Sequence, residues 1–380
     1  MKKIERVDFK KQLTESLEYF PITALIGPRQ CGKSTLAREV IEHYSKKHFF
    51  DMEDITDFYR MQNMKLTLDP LDGVIVIDEI QRKTELFPYL RVLADNFPDR
   101  RYLILGSASR DLIEKSSETL AGRINYIELH PFSANEVGDM NTLLNRGGFP
   151  RSFLAPSDKI SMQWRKNYIQ SYLERDLPAL GIKLPTSELY RFWMMLAHYH
   201  GKIINYSEIG ASLGISDTTV RRYIALMEDT FLIRCLKPWR ENIAKRQTKS
   251  PKLYIRDTGI LCALLGISYA EIHLSPKIGY IWEGFAIEEI IKHNNYRDEE
   301  CYFWEIQSQA EVDLVIVSGE KKECFEIKYS DHPHMTKSIH KTFEHMHIEE
   351  LKVITPLKGN YKIAENVTVL GLEDYIRKPN

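Results

Sequence analysis

The sequence predicts an α/β protein, with a parallel-sheet core near its start and a second α/β domain at its end. Three observations predict it. "ITALIGPRQCGKST" (22–35) runs from an apolar strand through a glycine-bracketed loop into the helical spacing of Leu36, Val40 and Ile41. "GVIVIDEI" (73–80) is an unbroken apolar run ending in two carboxylates, the pattern of a strand covered on both faces. "AEVDLVIV" (310–317) and "CFEIKYS" (324–330) are strands that carry charge among apolar residues.

The 380 residues suffice for two to four domains. Hydrophobic residues are 43% and charged residues 28%, an ordinary balance for a folded soluble chain. Lys and Arg number 52 against 53 Asp and Glu, so overall charge announces no polyanionic partner. The five cysteines form no CxxC pair and read as reduced thiols, which excludes a disulfide framework or a zinc ribbon. The start lacks the apolar stretch of a signal peptide, and no apolar run is long enough to span a bilayer. The expectation is a cytoplasmic protein with no membrane partner.

The first stretch fits G-x-x-x-x-G-K-[ST], with Gly27, Gly32, Lys33 and Ser34 in register. Pro28, Arg29, Gln30, Cys31 and Thr35 complete the loop. Glycines let successive backbone N–H groups converge on phosphate, and the helix that follows offers its positive end. Lys33 would reach the β- and γ-phosphates of ATP, and the Ser34 hydroxyl would ligate Mg²⁺. Such a loop needs an acidic partner at the end of another buried strand. Asp78 would hold the hydration shell of the Mg²⁺, and Glu79 would polarise the attacking water. In "RYLILGSASR" (101–110), Ser107 would contact the γ-phosphate or water, and Arg110 could sense the γ-phosphate. Arg123, in "LAGRI", is a second candidate and would act in trans on a neighbouring subunit, which implies a homo-oligomer. Which arginine serves stays open.

"GPRQCGKST", "VIVIDEIQ", "GSASR" and "LAGRI" together resemble the AAA+ superfamily of ATPases, in particular the bacterial and archaeal group with an appended C-terminal domain. "GGFPRSF" (147–153) resembles the glycine–x–proline element that the signal-transducing STAND relatives place in the lid beside adenine. The resemblance implies that role for Gly148 and Pro150, with Arg151 as a further phosphate sensor.

From Asp158 to Leu177, the spacing of Trp164, Tyr168, Tyr172 and Leu173 predicts a lid-like helix that ends at Pro178. "NYSEIGASLGISDTTVRRYIALMEDTFLI" (205–233) reads as a helix-turn-helix, and the strands "FLIRCLKPW" and "KLYIRDTG" add a wing. The second helix would expose Asp217, Thr218, Arg221 and Arg222. Residues 221–256 hold ten Lys and Arg against three acids, the footprint of nucleic-acid backbone binding through Arg221 and Arg222. The alternative is a winged helix used only for packing.

"YIWEGFAIEEIIKH" is expected to be an amphipathic helix carrying Glu283. Asp313 and the Glu326–Lys328 pair lie on strands joined by the turn-rich "SGEKKE". A helix near 335–348 and the strand "LKVIT" (351–355) follow. This order resembles the PD-(D/E)xK nuclease superfamily. The resemblance implies Mg²⁺ ligation by Asp313, Glu326 and the Ile327 carbonyl. It makes Lys328 the residue that orients water and Glu283 an accessory acid. A solvated Glu326–Lys328 ion pair is the plainer alternative, and the fold also serves for binding alone.

The full expectation is an α/β P-loop AAA+ parallel-sheet ATPase core (1–150), a helical lid (151–185), a winged helix (186–265) and a PD-(D/E)xK-like α/β domain (266–380). It would couple ATP binding and hydrolysis to nucleic-acid binding or processing. The competing reading is a STAND-like regulatory switch whose last domain binds partners without cleaving DNA.

Overall fold

Residues 4–107, 119–182, 184–240, 250–306 and 310–377 are described by a computed structural model. The chain divides into two compact units, Met1–Pro131 with Asp229–Phe231, and Phe132–Glu228 with Leu232–Asn380. Among the described residues no helix is long and apolar enough to cross a membrane.

The first unit is built on strands β1 (Ile22–Ile26), β2 (Lys47–Asp51), β3 (Val74–Asp78), β4 (Arg101–Gly106) and β5 (Ile124–Glu128). They form one sheet in the order β2-β3-β4-β1-β5, with every pairing parallel. Every residue of β1 and β3 is buried. Strand alternation explains why both faces are apolar. Ile75 and Ile77 join Leu86, Phe87, Leu90 and Leu93 of one core, whereas Val74 and Val76 join Leu13, Leu17, Leu36 and Val40 of the other. Because all strands run the same way, their C-terminal ends share one edge, where the loops after β1, β3 and β4 meet.

The second unit holds a nine-stranded sheet in the order β13-β14-β12-β11-β10-β9-β7-β8-β6. Its strands are β6 (Lys202–Ile203), β7 (Ile233–Pro238), β8 (Lys252–Ile255), β9 (Cys301–Ile306), β10 (Ala310–Ser318), β11 (Lys321–Ile327), β12 (Leu351–Thr355), β13 (Asn360–Ala364) and β14 (Val367–Gly371). The join between its two halves is short: β7 runs parallel to β9 through Lys237↔Tyr302 and Pro238↔Phe303. One hydrophobic cluster runs through Leu143, Phe149, Tyr168, Trp193, Ile224, Tyr254, Phe285, Phe325 and Ile376. The segments expected as lid, winged helix and C-terminal domain therefore share a core. Phe132–Pro150, on the near side of the expected boundary at 150, lies in this same unit.

The helix Ile278–Asn294 differs from the amphipathic expectation. It buries Ile281, Trp282, Phe285, Ala286, Ile287, Glu288, Glu289, Ile290 and Ile291, so no face is left for solvent along that stretch. It packs against β10 and β11 and also against the helices Thr258–Leu265 and Leu372–Ile376. Its buried acids are paired. Glu288 bonds Arg234 and, at 3.1 Å, Arg256. Glu289 accepts the Ala134 N–H at 2.7 Å and meets Lys292 at 2.8 Å. Burial alone would raise the Glu288 carboxyl, but Arg234 and Arg256 hold it down to about 2.

His200 is another buried titratable group of this unit. Its Nδ1 accepts the Ile255 N–H at 3.0 Å, which leaves the Nε2–H to donate to the Tyr280 carbonyl at 3.0 Å. Burial pushes the imidazole down to about 4. A folded-state value below the unfolded one means that the unfolded chain binds the proton more readily. This contribution is full above about pH 6.5 and is lost as the pH falls toward 4. Thermal melts from pH 7 to 4.5 should therefore fall less steeply for His200→Gln than for the wild type. Parallel slopes would mean that His200 does not carry the dependence.

Candidate functional site

The loop after β1 has the backbone its glycines allow. Gly27 and Gly32 sit at φ 151° and 107°, and a Cβ on Gly27 would lie 2.2 Å from the Leu129 carbonyl oxygen. Gln30 also has positive φ, 62°. Lys33 opens the helix Lys33–Ile41, and its Nζ donates to the Gly27 and Pro28 carbonyls, both at 2.9 Å. The ammonium thus lies along the loop. Pro28 is buried and Thr35 exposed, and the Arg29 side chain is bonded to Glu53 at 2.8 Å. The buried Cys31 thiol faces the Leu129 carbonyl at 3.3 Å, so Cys31 offers the loop its backbone, not its sulfur.

Asp78 ends β3, and the Ser34 hydroxyl donates to its carboxylate. Its oxygen Oδ1 also accepts the Glu79 N–H at 3.0 Å. Burial raises its carboxyl above the usual range. A hydroxyl and a carboxylate in contact at the start of a helix are hard oxygen donors, and they fit a Mg²⁺ ion carried with ATP phosphates. Glu79 adopts the left-handed conformation, φ 51° and ψ 46°. Its Oε2 accepts the Ser107 hydroxyl at 3.2 Å and the Gln81 amide, and that amide also reaches Ser107 Oγ at 3.1 Å. The adjacency of β3 and β4 brings these three together. Gln81 was not singled out from the sequence, although "DEIQ" places it two residues past Glu79.

Arg110 lies outside the described residues. Arg123 is paired with Asp95 through two contacts, 2.6 and 3.0 Å. Its neighbour Ile124 pairs with Ile22 at the start of β1, whereas the phosphate loop follows Ile26. Arg123 is thus at the opposite edge of the sheet, about 15 Å away by strand rise. Pro150 is the first residue of the short helix Pro150–Phe153, and Arg151 is exposed. The glycine before them has a packing reason of its own. The Gly148 N–H donates to Asp257 at 2.8 Å, and a Cβ there would lie 2.2 Å from the Phe132 oxygen.

A second constellation lies in the other unit. The antiparallel register Leu314↔Phe325 sets Asp313 opposite Glu326. Asp313 Oδ2 accepts the Ile327 N–H at 2.8 Å. Glu326 Oε1 meets Lys328 Nζ at 2.7 Å, and its Oε2 is buried with no hydrogen-bond partner. Glu283 Oε1 accepts the Tyr254 hydroxyl at 2.6 Å. Burial and the Asp313 charge raise the carboxyls of Glu283 and Glu326. The Glu326 side chain is only 5% exposed, whereas its partner Lys328 is 45% exposed, so the pair is buried on the carboxylate side alone.

An unexpected cation completes this cluster. Lys252 Nζ lies 3.4 Å from Glu283 Oε1 and 3.6 Å from Asp313 Oδ1, and it also contacts Glu311. This corrects the reading of 221–256 as a nucleic-acid footprint throughout. Arg234, Lys252 and Arg256 are held by internal carboxylates, leaving seven basic residues against the same three acids. Among the described residues, no group of three or more His, Cys, Asp or Glu is arranged to hold a metal.

Residues 19–138 match a family described as an AAA domain. Residues 137–271 and 278–375 match domains of unknown function, DUF8612 and DUF4143. The chain is 40% identical over 377 residues to Rv2008c of Mycobacterium tuberculosis and equally to Mb2031c of Mycobacterium bovis. In each case the match covers 98% of this chain and 85% of the relative, which is described as an uncharacterized protein. The chain belongs to the family of these mycobacterial proteins. Its first unit carries an AAA-type P-loop ATPase domain on an all-parallel sheet. Among solved structures it is similar to a Walker-type ATPase, PABY2304 of Pyrococcus abyssi, at 17% identity and TM-score 0.47, covering 69% of this chain and 96% of that one. It is also similar to RuvB, the Holliday junction branch migration motor of Thermotoga maritima, at 18% identity and TM-score 0.32, covering 65% and 96%.

Lys33→Ala should weaken binding of a fluorescent ATP analogue about 10- to 100-fold, the worth of a charge-assisted hydrogen bond to phosphate. Unchanged affinity would remove Lys33 from the phosphate site.

Proposed function

We propose that this family member hydrolyses ATP and uses its nucleotide state to control nucleic-acid binding by its second unit. The observation that carries hydrolysis is the carboxylate of Glu79, held beside Ser107 and Gln81 next to the Ser34–Asp78 pair. Lys33 exchanges the Gly27 and Pro28 carbonyls for the β- and γ-phosphates. Ser34 and Asp78 hold Mg²⁺, which neutralises charge on the phosphate oxygens. Glu79 polarises the attacking water, and Ser107 and Gln81 aim its carboxylate. Arg123, too distant to serve its own chain, serves a neighbouring copy in a homo-oligomer.

Support for nucleic acid comes from local geometry. The helices Tyr206–Leu213 and Asp217–Asp229 flank a turn with Gly214 at φ 67°. A Cβ on Gly210 would lie 2.6 Å from the Ile215 carbonyl oxygen, so only glycine lets this turn close. Strand β8 pairs with both β6 and β7. Together these read as a winged helix. Arg221 and Arg222 are exposed on its second helix, the Arg221 guanidinium lying 3.8 Å from the Tyr206 ring centre. The cluster around Lys252 favours a PD-(D/E)xK-like last domain that binds without cutting, as in a STAND-like switch.

Glu79→Gln should retain ATP binding and lose hydrolysis by about 10²-fold or more, since only the water-polarising charge is gone. A wild-type rate would remove Glu79 from the chemistry. Arg221→Glu with Arg222→Glu should weaken duplex DNA binding and lower the salt slope by about one per lost phosphate contact. Unaltered binding would leave the winged helix as a packing module.

A further inference from the structure

The acidic cluster of the second unit already contains a cation, and that cation belongs to the chain. We propose that the Lys252 ammonium is the resident counter-ion of Glu283, Glu311 and Asp313, standing where a divalent ion would bind, so that metal enters only if Lys252 leaves. The inference rests on reading Glu283, Asp313, Glu326 and Lys328 as a nuclease-like set.

Strand geometry puts Lys252 there. It begins β8, and alternation places Lys252 and Tyr254 on one face of that strand. Both reach the same Glu283 Oε1, at 3.4 and 2.6 Å. The Lys252 side chain is 6% exposed, so its charge has left water for these carboxylates.

One oxygen of each acid in the cluster is engaged by a cation. Asp313 gives Oδ2 to the Ile327 amide and turns Oδ1 toward Lys252. Glu326 gives Oε1 to Lys328. Glu326 Oε2 is buried without a hydrogen-bond partner. A divalent ion on Asp313 Oδ1 or Glu283 Oε1 would lie against an ammonium 3.6 and 3.4 Å from those oxygens, and the two positive charges repel while the ammonium stays. Without Lys252, Asp313 Oδ1, Glu283 Oε1 and Glu311 lose their shared cation, and their mutual repulsion would draw in a metal.

The test is Mn²⁺ binding to the nucleotide-free full chain, read by electron paramagnetic resonance and by thermal melts. Asp313→Asn in each background assigns signal to the cluster. The proposal expects weak Mn²⁺ binding by the wild type, at least tenfold tighter binding by Lys252→Met, and wild-type weakness in Lys252→Arg. It also expects Mn²⁺ to raise the melting temperature of Lys252→Met. Equal, Asp313-dependent affinity in wild type and Lys252→Met would overturn it and leave the nuclease-like reading standing. No cluster binding in either would overturn both. If Lys252→Met folds only when Mn²⁺ is supplied, metal has replaced the ammonium and the proposal holds. If it fails to fold even with Mn²⁺, the metal does not take the place of Lys252 and the proposal falls.

Discussion

Buried carboxylates need cations, and in the second unit this constraint organises the sheet. Glu288 sits on a helix packed beneath β10 and β11, and Glu283 and Asp313 are almost as enclosed. An uncompensated carboxylate in such surroundings costs several kcal/mol. The compensating charges come from β7, β8 and the residue after β8. Arg234 and Arg256 serve Glu288, and Lys252 serves Glu283, Glu311 and Asp313. The strands of the helix-turn-helix segment are thereby tied to the last domain by charge as well as by the short β7–β9 pairing.

This arrangement bears on function. A basic segment counted from sequence overstates what a polyanion would meet, because charges committed to internal acids are not presented to it. Arg221 and Arg222 remain exposed on a helix. The same ion pairs hold the carboxylate set around Lys252 in one arrangement. In the ATPase unit the charge problem is solved differently: Asp78 is buried but takes hydrogen bonds from Ser34 and the Glu79 amide, a small polar site at a strand end.

The parts of the site that could be read from sequence are those whose residues are neighbours in the chain. Gly27, Gly32, Lys33 and Ser34 sit in one loop, and its backbone needs are local. Asp78 and Glu79 follow a hydrophobic strand that announces itself. Gln81 was missed because glutamine near a turn has no distinctive pattern. Its role appears only when β4 brings Ser107 alongside. The ion pairs of the second unit were illegible for a stronger reason. Lys252 and Glu283 are 31 residues apart and Arg234 and Glu288 are 54 apart, and nothing in the spacing says which charges meet. The helix 278–294 was misread as amphipathic because two of its acids, Glu288 and Glu289, look like a solvent face until their partners are known.

The account stands on the claim that Arg234 is an internal counter-ion, not a surface cation. A double-mutant cycle of Arg234→Met and Glu288→Leu tests it most directly. All five tryptophans lie in the second unit, so their emission follows its unfolding alone. The account predicts that each single variant loses about 3–5 kcal/mol in denaturant melts, because a buried charge is left unpaired, and that the double variant recovers most of that loss. Two small and additive losses would contradict it.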